Sequence, residues 1–296
     1  MSGSAAKPYQ NTIGVHGLVW AGAWSEADAH SAISKAEAAG YDLIEVLFMD
    51  PSSIDVKMTR RILDEYEMRA AATLGLSAAT DVSSEDEDAV AAGNKLLTEA
   101  VNVGVDLGLE YLGGVVFGAL QKYSAPVTPK GRQNSIEAVR RMCELAAKSN
   151  LPIGLEVVNR YESNLLNTGA QAVEYIKEVG ADNLYVHLDT YHMNIEENDF
   201  GQAVRTCGDL LGYVHIGDSH RGYLGTGTVD FDSLFRAMAE INYTGTITFE
   251  SFSSTVVDPN LSYTLAIWRN LWEDNLDLAR HARGFIEAQL RSAARL

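Results

Sequence analysis

The stretch Ile153-Gly-Leu-Glu-Val-Val158, the amphipathic run Thr168 to Val179, and Leu184-Tyr-Val-His-Leu188 together decide the fold. The outer two segments are short and apolar, and the middle one repeats its apolar positions at helical spacing. Two short strands joined by a helix read as a βαβ crossover, which lays the strands parallel in one sheet.

The same alternation continues in both directions. Toward the C-terminus a helix ends near Leu211, Tyr213 to Ile216 precedes Phe231 to Ile241, and Thr246 to Phe249 precedes a long helical tail to Leu290. Toward the N-terminus, Tyr111 to Phe117 precedes Ser135 to Ser149, Ala70 to Leu74 precedes Ser84 to Leu107, and Tyr41 to Phe48 precedes Asp55 to Tyr66. The first unit is Thr12 to Val19 and a helix over Ser25 to Ala39, with Ser25 and Asp28 as a capping box. Eight β-then-α units in a chain of 296 residues predict an α/β protein, a single (β/α)8 TIM barrel over residues 12–296. A doubly wound open sheet is the runner-up, but no GxGxxG follows the first strand and opens a helix. No Pro- or Ser-rich linker marks a second domain. Residues 1–11 are Ser/Ala/Gly-rich without an apolar core, so a flexible N-terminal leader is expected rather than a signal peptide.

Composition removes several function classes. With 46% hydrophobic and 21% charged residues the chain is an ordinary globular one. Its 23 Lys and Arg stand against 40 Asp and Glu, a formal charge of −17, which argues against nucleic acid and against anionic membrane surfaces as partners. The longest apolar run, within Leu112 to Leu120, is far short of a membrane span. Cys143 and Cys207 form no CxxC and no disulfide framework, and read as buried thiols of a cytoplasmic protein.

In a barrel of this kind chemistry sits at the C-terminal strand ends. Four polar residues occupy that place in consecutive units: Glu156, Asp189, His215 and Glu250, separated by 33, 26 and 35 residues, each about one βα unit. Each follows an apolar residue (Leu155, Leu188, Val214, Phe249) that faces the helices by strand alternation. One strand-end Glu is ordinarily half of an ion pair, and one strand His an ordinary core residue. Three carboxylates and an imidazole converging without matching cations repel one another unless a metal neutralises them. Their donor set suits Mn²⁺, Co²⁺ or Mg²⁺ better than Zn²⁺. Around them, Asn159 to Glu162, Thr190 to His192 and Asp218 to Arg221 are expected to carry substrate contacts, with His16, Glu45 and His187 as core or supporting residues. The glycine-rich Gly222 to Gly227 reads as a turn presenting Arg221 to neutral hydroxyls, not as a phosphate cradle. Trp268 and Trp272, one helical turn apart in the tail, are expected to close the barrel core.

At these residues the chain resembles a known family. Leu155-Glu-Val-Val-Asn-Arg-Tyr-Glu162, His187-Leu-Asp-Thr-Tyr-His-Met-Asn-Ile-Glu-Glu197, Val214-His-Ile-Gly217 and Phe249-Glu-Ser251 resemble the ketose 3-epimerases (D-tagatose, D-allulose or D-psicose, and L-ribulose 3-epimerases) of the xylose-isomerase-like barrels. Gly17-Leu-Val-Trp20 and Ser219-His-Arg-Gly-Tyr-Leu-Gly-Thr-Gly227 look most like the L-ribulose/D-allulose branch, and the resemblance runs from Ile13 to Leu290. It implies that Glu156, Asp189, His215 and Glu250 are the metal ligands, with Mn²⁺ foremost, and that Glu156 and Glu250 are also the catalytic acid/base pair. It further implies that Glu162, His192 and Arg221 bind the C1–C3 oxygens of a small-molecule ketose, and that the protein is a homo-oligomer, dimer or tetramer.

The chemistry agrees with that implication. Inverting a carbon beside a carbonyl requires a proton to leave one face and return to the other, which two carboxylates on opposite sides can do. A metal on the C2 carbonyl and C3 hydroxyl stabilises the developing enediolate. The expected reaction is C3 epimerisation of free ketoses, L-ribulose/L-xylulose and D-allulose/D-fructose foremost. Proton shuttling by His192 and Glu162 would instead give an aldose–ketose isomerase of the hydroxypyruvate isomerase type. A lyase like inosose dehydratase and a non-catalytic sugar-binding barrel remain alternatives, while a DNA-repair role like endonuclease IV conflicts with the acidic charge.

Overall fold

A computed structural model describes residues 9–48, 50–257 and 259–295. Among them eight strands, β1 (Ile13–His16), β2 (Leu43–Leu47), β3 (Arg69–Leu76), β4 (Leu112–Ala119), β5 (Ile153–Glu156), β6 (Leu184–Asp189), β7 (Leu211–Ile216) and β8 (Thr246–Phe249), pair in parallel in chain order. β8 returns to β1, with Ile13 opposite Ile247, and closes the barrel. The helices are α1 (Glu26–Ala38), α2 (Val56–Glu65), α3 (Glu87–Leu107), α4 (Pro129–Ala147), α5 (Gly169–Val179), α6 (Thr190–Glu196), α7 (Phe200–Cys207), α8 (Phe231–Glu240), α9 (Pro259–Thr264) and α10 (Asn275–Ala293). The expected (β/α)8 barrel is the fold. Among the described residues no helix is long and apolar enough to cross a membrane.

Local chemistry sets the helix ends. Ser25 and Asp28 form the expected capping box of α1, and Thr168 with Gln171 forms another on α5. Gly180 ends α5 in the left-handed region at φ 71°, where glycine carries no Cβ penalty. Helix α4 begins earlier than its apolar period predicts, because Thr128 caps it and Pro129 occupies the first turn, where its missing N–H costs nothing.

Two expectations fail in the C-terminal tail. The single long helix is two helices, α9 and α10, separated by a non-helical segment over 265–274. Ala266 takes a left-handed φ of 54°, and the Asp274 carboxylate accepts from the backbone N–H groups of Leu276 and Asp277, starting a new helix. Trp268 and Trp272 therefore do not share a helical stripe. Trp272 is 5% exposed and donates its indole N–H to Ser251 Oγ at 2.8 Å, whereas Trp268 is 71% exposed and stacks on Tyr263.

Of the expected leader, residues 1–8 lie outside the described residues. Tyr9 and Asn11 are tied to the barrel: the Tyr9 hydroxyl donates to Glu287 at 3.0 Å, and the Asn11 amide donates to the carbonyls of Tyr243 and Gly245, each at 3.0 Å. The barrel interior is filled in tiers. Near its floor Tyr111 and Tyr213 stack with centroids 4.2 Å apart, beside Leu43 and Ala71. A Cβ at Gly154 would stand 1.5 Å from the Tyr111 hydroxyl, so only glycine at that position lets the ring lie across the barrel. This filled floor leaves the upper tier as the open end.

Candidate active site and metal centre

Glu156 and Asp189 are the last residues of β5 and β6, His215 is one residue from the end of β7, and Glu250 directly follows β8. The parallel register sets Asp189 beside His215. Leu155, Leu188, Val214 and Phe249 are fully buried between strands and helices, so their neighbours in sequence face the barrel axis. One ligand atom from each of the four predicted residues lies within 4.8 Å of all the others. His215 Nδ1 is at the centre of the group, 3.3 Å from Glu156 Oε1, 3.5 Å from Glu250 Oε2 and 3.8 Å from Asp189 Oδ2.

The supporting contacts aim these atoms. Glu45 Oε2 lies 2.9 Å from His215 Nε2, and a carboxylate only accepts, so Nε2 carries the hydrogen and Nδ1 faces the three carboxylates. Asp189 Oδ1 accepts from the backbone N–H of Tyr191 at 2.6 Å, capping α6 and leaving Oδ2 toward the centre. The residues present fit a divalent ion: three carboxylates and one imidazole converge, with His215 oriented by Glu45 and Asp189 by the Tyr191 backbone.

The electrostatics follow from burial working against neighbouring charge. Burial opposes ionisation of all three carboxylates. For Glu156 the His215 hydrogen bond and the nearby His187 and His215 charges together outweigh it, for Asp189 the Arg221, His192 and His215 charges together do, and both lie below the usual carboxylate range. For Glu250 burial prevails, reinforced by Asp189 and Glu156, and its carboxyl is pushed well above that range. Burial alone would lower His215, but the Glu45 and Glu250 charges hold it well above an ordinary histidine. Burial lowers His16 to about 4 and His187 to about 3.

Arg221 departs from its expected setting. Rather than meeting only neutral hydroxyls, its Nη1 donates to Asp189 Oδ2 at 3.1 Å and to Glu250 Oε2 at 2.5 Å. The guanidinium lies between the rings of Tyr191 and Phe252, 4.1 and 4.9 Å from their centroids. The acidic cluster therefore has a guanidinium beside it, supplied by a loop instead of a strand. The glycine loop turns its amides onto the chain itself. The backbone N–H groups of Gly225, Thr226 and Gly227 all donate to Asp218 Oδ2, so they are already taken by a carboxylate.

Glu162 and His192 stand beside the cluster through Asn159. The Asn159 amide donates to Glu162 Oε1 at 2.9 Å and lies 2.8 Å from His192 Nδ1, which also accepts from the Asn159 backbone N–H. His192 Nε2 is thereby turned inward, 3.9 Å from Asp189 Oδ2 and 4.0 Å from Glu162 Oε2. A pocket of ≈ 330 Å³ opens above, touched by Glu156, Glu162, His192, Arg221 and Glu250. All seven predicted site residues thus belong to one constellation.

Several participants were not visible as such in the sequence. Glu45 and His16 read in the sequence as core or supporting residues, and only the structure shows Glu45 gripping His215, with His16 Nε2 3.3 Å from Glu45 Oε1. Apolar walls from separate loops, Phe48, Leu120, Val158, Phe252 and Ile267, leave no shared periodic signal. Ser251 links two distant segments: its Oγ accepts from Trp272 and donates to the Arg221 carbonyl at 2.5 Å.

Comparison with known proteins gives the family. The family model described as xylose isomerase-like TIM barrel matches residues 33–287. The chain is 54% identical to L-ribulose 3-epimerase of Methylomonas sp. (strain DH-1) over 282 residues, covering 95% of this chain and 99% of that protein. It is 51% identical to ketose 3-epimerase of Arthrobacter globiformis, covering 94% and 96%. A crystal structure of D-allulose 3-epimerase from Methylomonas sp. in complex with D-allulose superposes with a TM-score of 0.93 at 53% identity, covering 97% of this chain and 99% of that one. The chain belongs to the xylose isomerase-like TIM barrel family and, within it, to the ketose 3-epimerases.

Proposed function

We propose that this enzyme epimerises free ketoses at C3, with L-ribulose/L-xylulose and D-allulose/D-fructose as its substrate pairs and Mn²⁺ as its metal. The observation that carries the reading is the convergence of Glu156 and Glu250, from strands five and eight, on one pocket beside Asp189 and His215. A divalent ion held by Glu156, Asp189, His215 and Glu250 would polarise the C2 carbonyl and stabilise charge developing on the ketose oxygens.

The chain's own residues supply the rest. β5 and β8 are separated by β6 and β7 on one side of the ring and by β1 to β4 on the other, so Glu156 and Glu250 approach a sugar from different arcs. In one direction Glu250 takes the C3 proton and Glu156 returns one to the opposite face; in reverse the roles exchange. Glu162 and His192, held by Asn159, together with Arg221, hold the C1–C3 oxygens. The apolar walls exclude water from the carbanionic intermediate. The −17 charge favours a neutral, free sugar over a phosphorylated one. A cytoplasmic homo-oligomer, dimer or tetramer, completes the proposal, supported by two unpaired thiols and by the exposed stacked pair Tyr263 and Trp268.

The test is regiochemical. Chelator-stripped protein restored with Mn²⁺ is incubated in D₂O with L-ribulose, D-allulose, D-fructose and D-tagatose, and NMR locates the deuterium. Metal-dependent label at C3 with the C3 epimer is the expected result. Label at C1 with an aldose product, or no label in any ketose, overturns the reading.

A further inference from the structure

We propose that the barrel contains a second cation position, one tier below the four-ligand centre, formed by Glu156, His187 and His215, and that it selects zinc. It rests on Glu156 and His215 facing the barrel axis as the functional reading has them, but it adds a ligand that reading leaves unused. His187 lies on β6 two residues before Asp189, hence on the same face and one step deeper, and the register sets it beside Glu156. Ligand atoms of Glu156, His187 and His215 lie within 4.8 Å of one another.

His187 is the unusual member of its tier. Its neighbours Glu45, Thr73, Tyr213 and Thr248 are joined by hydrogen bonds. The His187 ring is fully buried, yet both of its nitrogens lack a hydrogen-bond partner. Around it stand the rings of His215, Tyr213 and Tyr111, with centroids 4.2, 4.8 and 5.9 Å away, all near edge-to-face. A buried imidazole without a partner is an exception that calls for a ligand, and an aromatic face is an adequate partner for whichever N–H is left over.

The donor chemistry separates the two positions. The upper set, three carboxylates and one imidazole, suits harder ions of higher coordination number. The lower set, two imidazoles and one carboxylate with a fourth place for water, is the donor set of three-ligand tetrahedral zinc sites. Because Glu156 and His215 belong to both, one ion excludes the other, and zinc in the lower position withdraws two ligands from the catalytic arrangement.

Full-length protein stripped by chelator is titrated separately with Zn²⁺, by competition against a chromophoric chelator, and with Mn²⁺, by electron paramagnetic resonance. In His187→Leu, zinc affinity falls by more than about 10-fold, beyond the low end of what loss of an outer partner costs, while manganese affinity is unchanged. In Asp189→Asn the pattern inverts, with manganese binding lost and zinc binding kept. Retained manganese binding certifies that His187→Leu is folded, and His187→Phe, which refills the ring volume, repeats the measurement if the leucine variant is unstable. Unchanged zinc affinity in the His187 variants overturns the proposal, as does a parallel loss of both metals. Zinc binding through His187 in a wild-type protein that ignores manganese would keep this site and sink the manganese centre instead.

Discussion

Glu45 and His215 stand 170 residues apart in sequence and 2.9 Å apart in space, Oε2 to Nε2, both fully buried. The carboxylate holds Nε2 as the donor toward it and turns Nδ1 toward Glu156, Asp189 and Glu250. Glu45 is itself held by Thr73, by the Tyr213 hydroxyl at 3.0 Å and by His16. The hydrogen-bond network beneath the site therefore sets the chemistry of the tier above it.

Glu45→Gln keeps the shape but weakens acceptance from His215 and frees the ring to change tautomer. We expect Mn²⁺ affinity to fall by roughly 10–100-fold with the fold intact. Calorimetric titration of the stripped variant checks this, and wild-type affinity would remove Glu45 from the metal's support.

Glu250→Gln keeps an oxygen donor but has no carboxylate to accept the C3 proton. The variant is expected to bind ketose and metal while kcat for epimerisation falls by about 10²–10⁴-fold, the range for loss of a general acid or base. Deuterium exchange at C3 should fall with it. A fully active variant would refute the two-carboxylate mechanism.

Removing the divalent ion should abolish activity and lower the melting temperature, since buried carboxylates lose their neutralising partner. Restoring Mn²⁺ to about 100 times its Kd should return about 2.7 kcal/mol of stability. Arg221 also neutralises Asp189 and Glu250, so Arg221→Met should destabilise the stripped protein more than the loaded one. Thermal scans of both proteins with and without the ion measure the gap, and an unchanged gap would count against shared neutralisation.

The thiols of Cys143 and Cys207 are buried, and burial pushes each up to about 12. A raised thiol pKa means that the reactive thiolate is suppressed at every pH below that value. Native protein at pH 8 should resist iodoacetamide for as long as it stays folded, and both sites should label in denaturant. Mass spectrometry distinguishes the cases, and rapid native labelling would show that these positions open to solvent.

The barrel and the four candidate ligands were legible because both are local regularities. Each of Glu156, Asp189, His215 and Glu250 ends an apolar strand run, and strand alternation alone tells which side it faces. The break at 265–274 was not legible, because it depends on a left-handed Ala266 and on Trp272 finding Ser251, neither of which interrupts apolar spacing. Arg221 was placed in the right mouth but with the wrong partners. A side chain reaching in from a loop is positioned by Tyr191 and by the adjacent Ser251 and Phe252, which come from two other places in the chain.

By itself the sequence determined the eight-unit repeat, the inward-facing residue at each strand end, and the excess of carboxylate that calls for a cation. Periodicity carries that information because it records which face of an element is apolar. Only the tertiary structure decided that Glu45 grips His215, that Asn159 turns Glu162 and His192 toward the pocket, and that His187 is buried without a partner. The contacts of Glu45 with His215 and of Asn159 with His192 join residues 170 and 33 positions apart, where distance along the chain says nothing about distance in space.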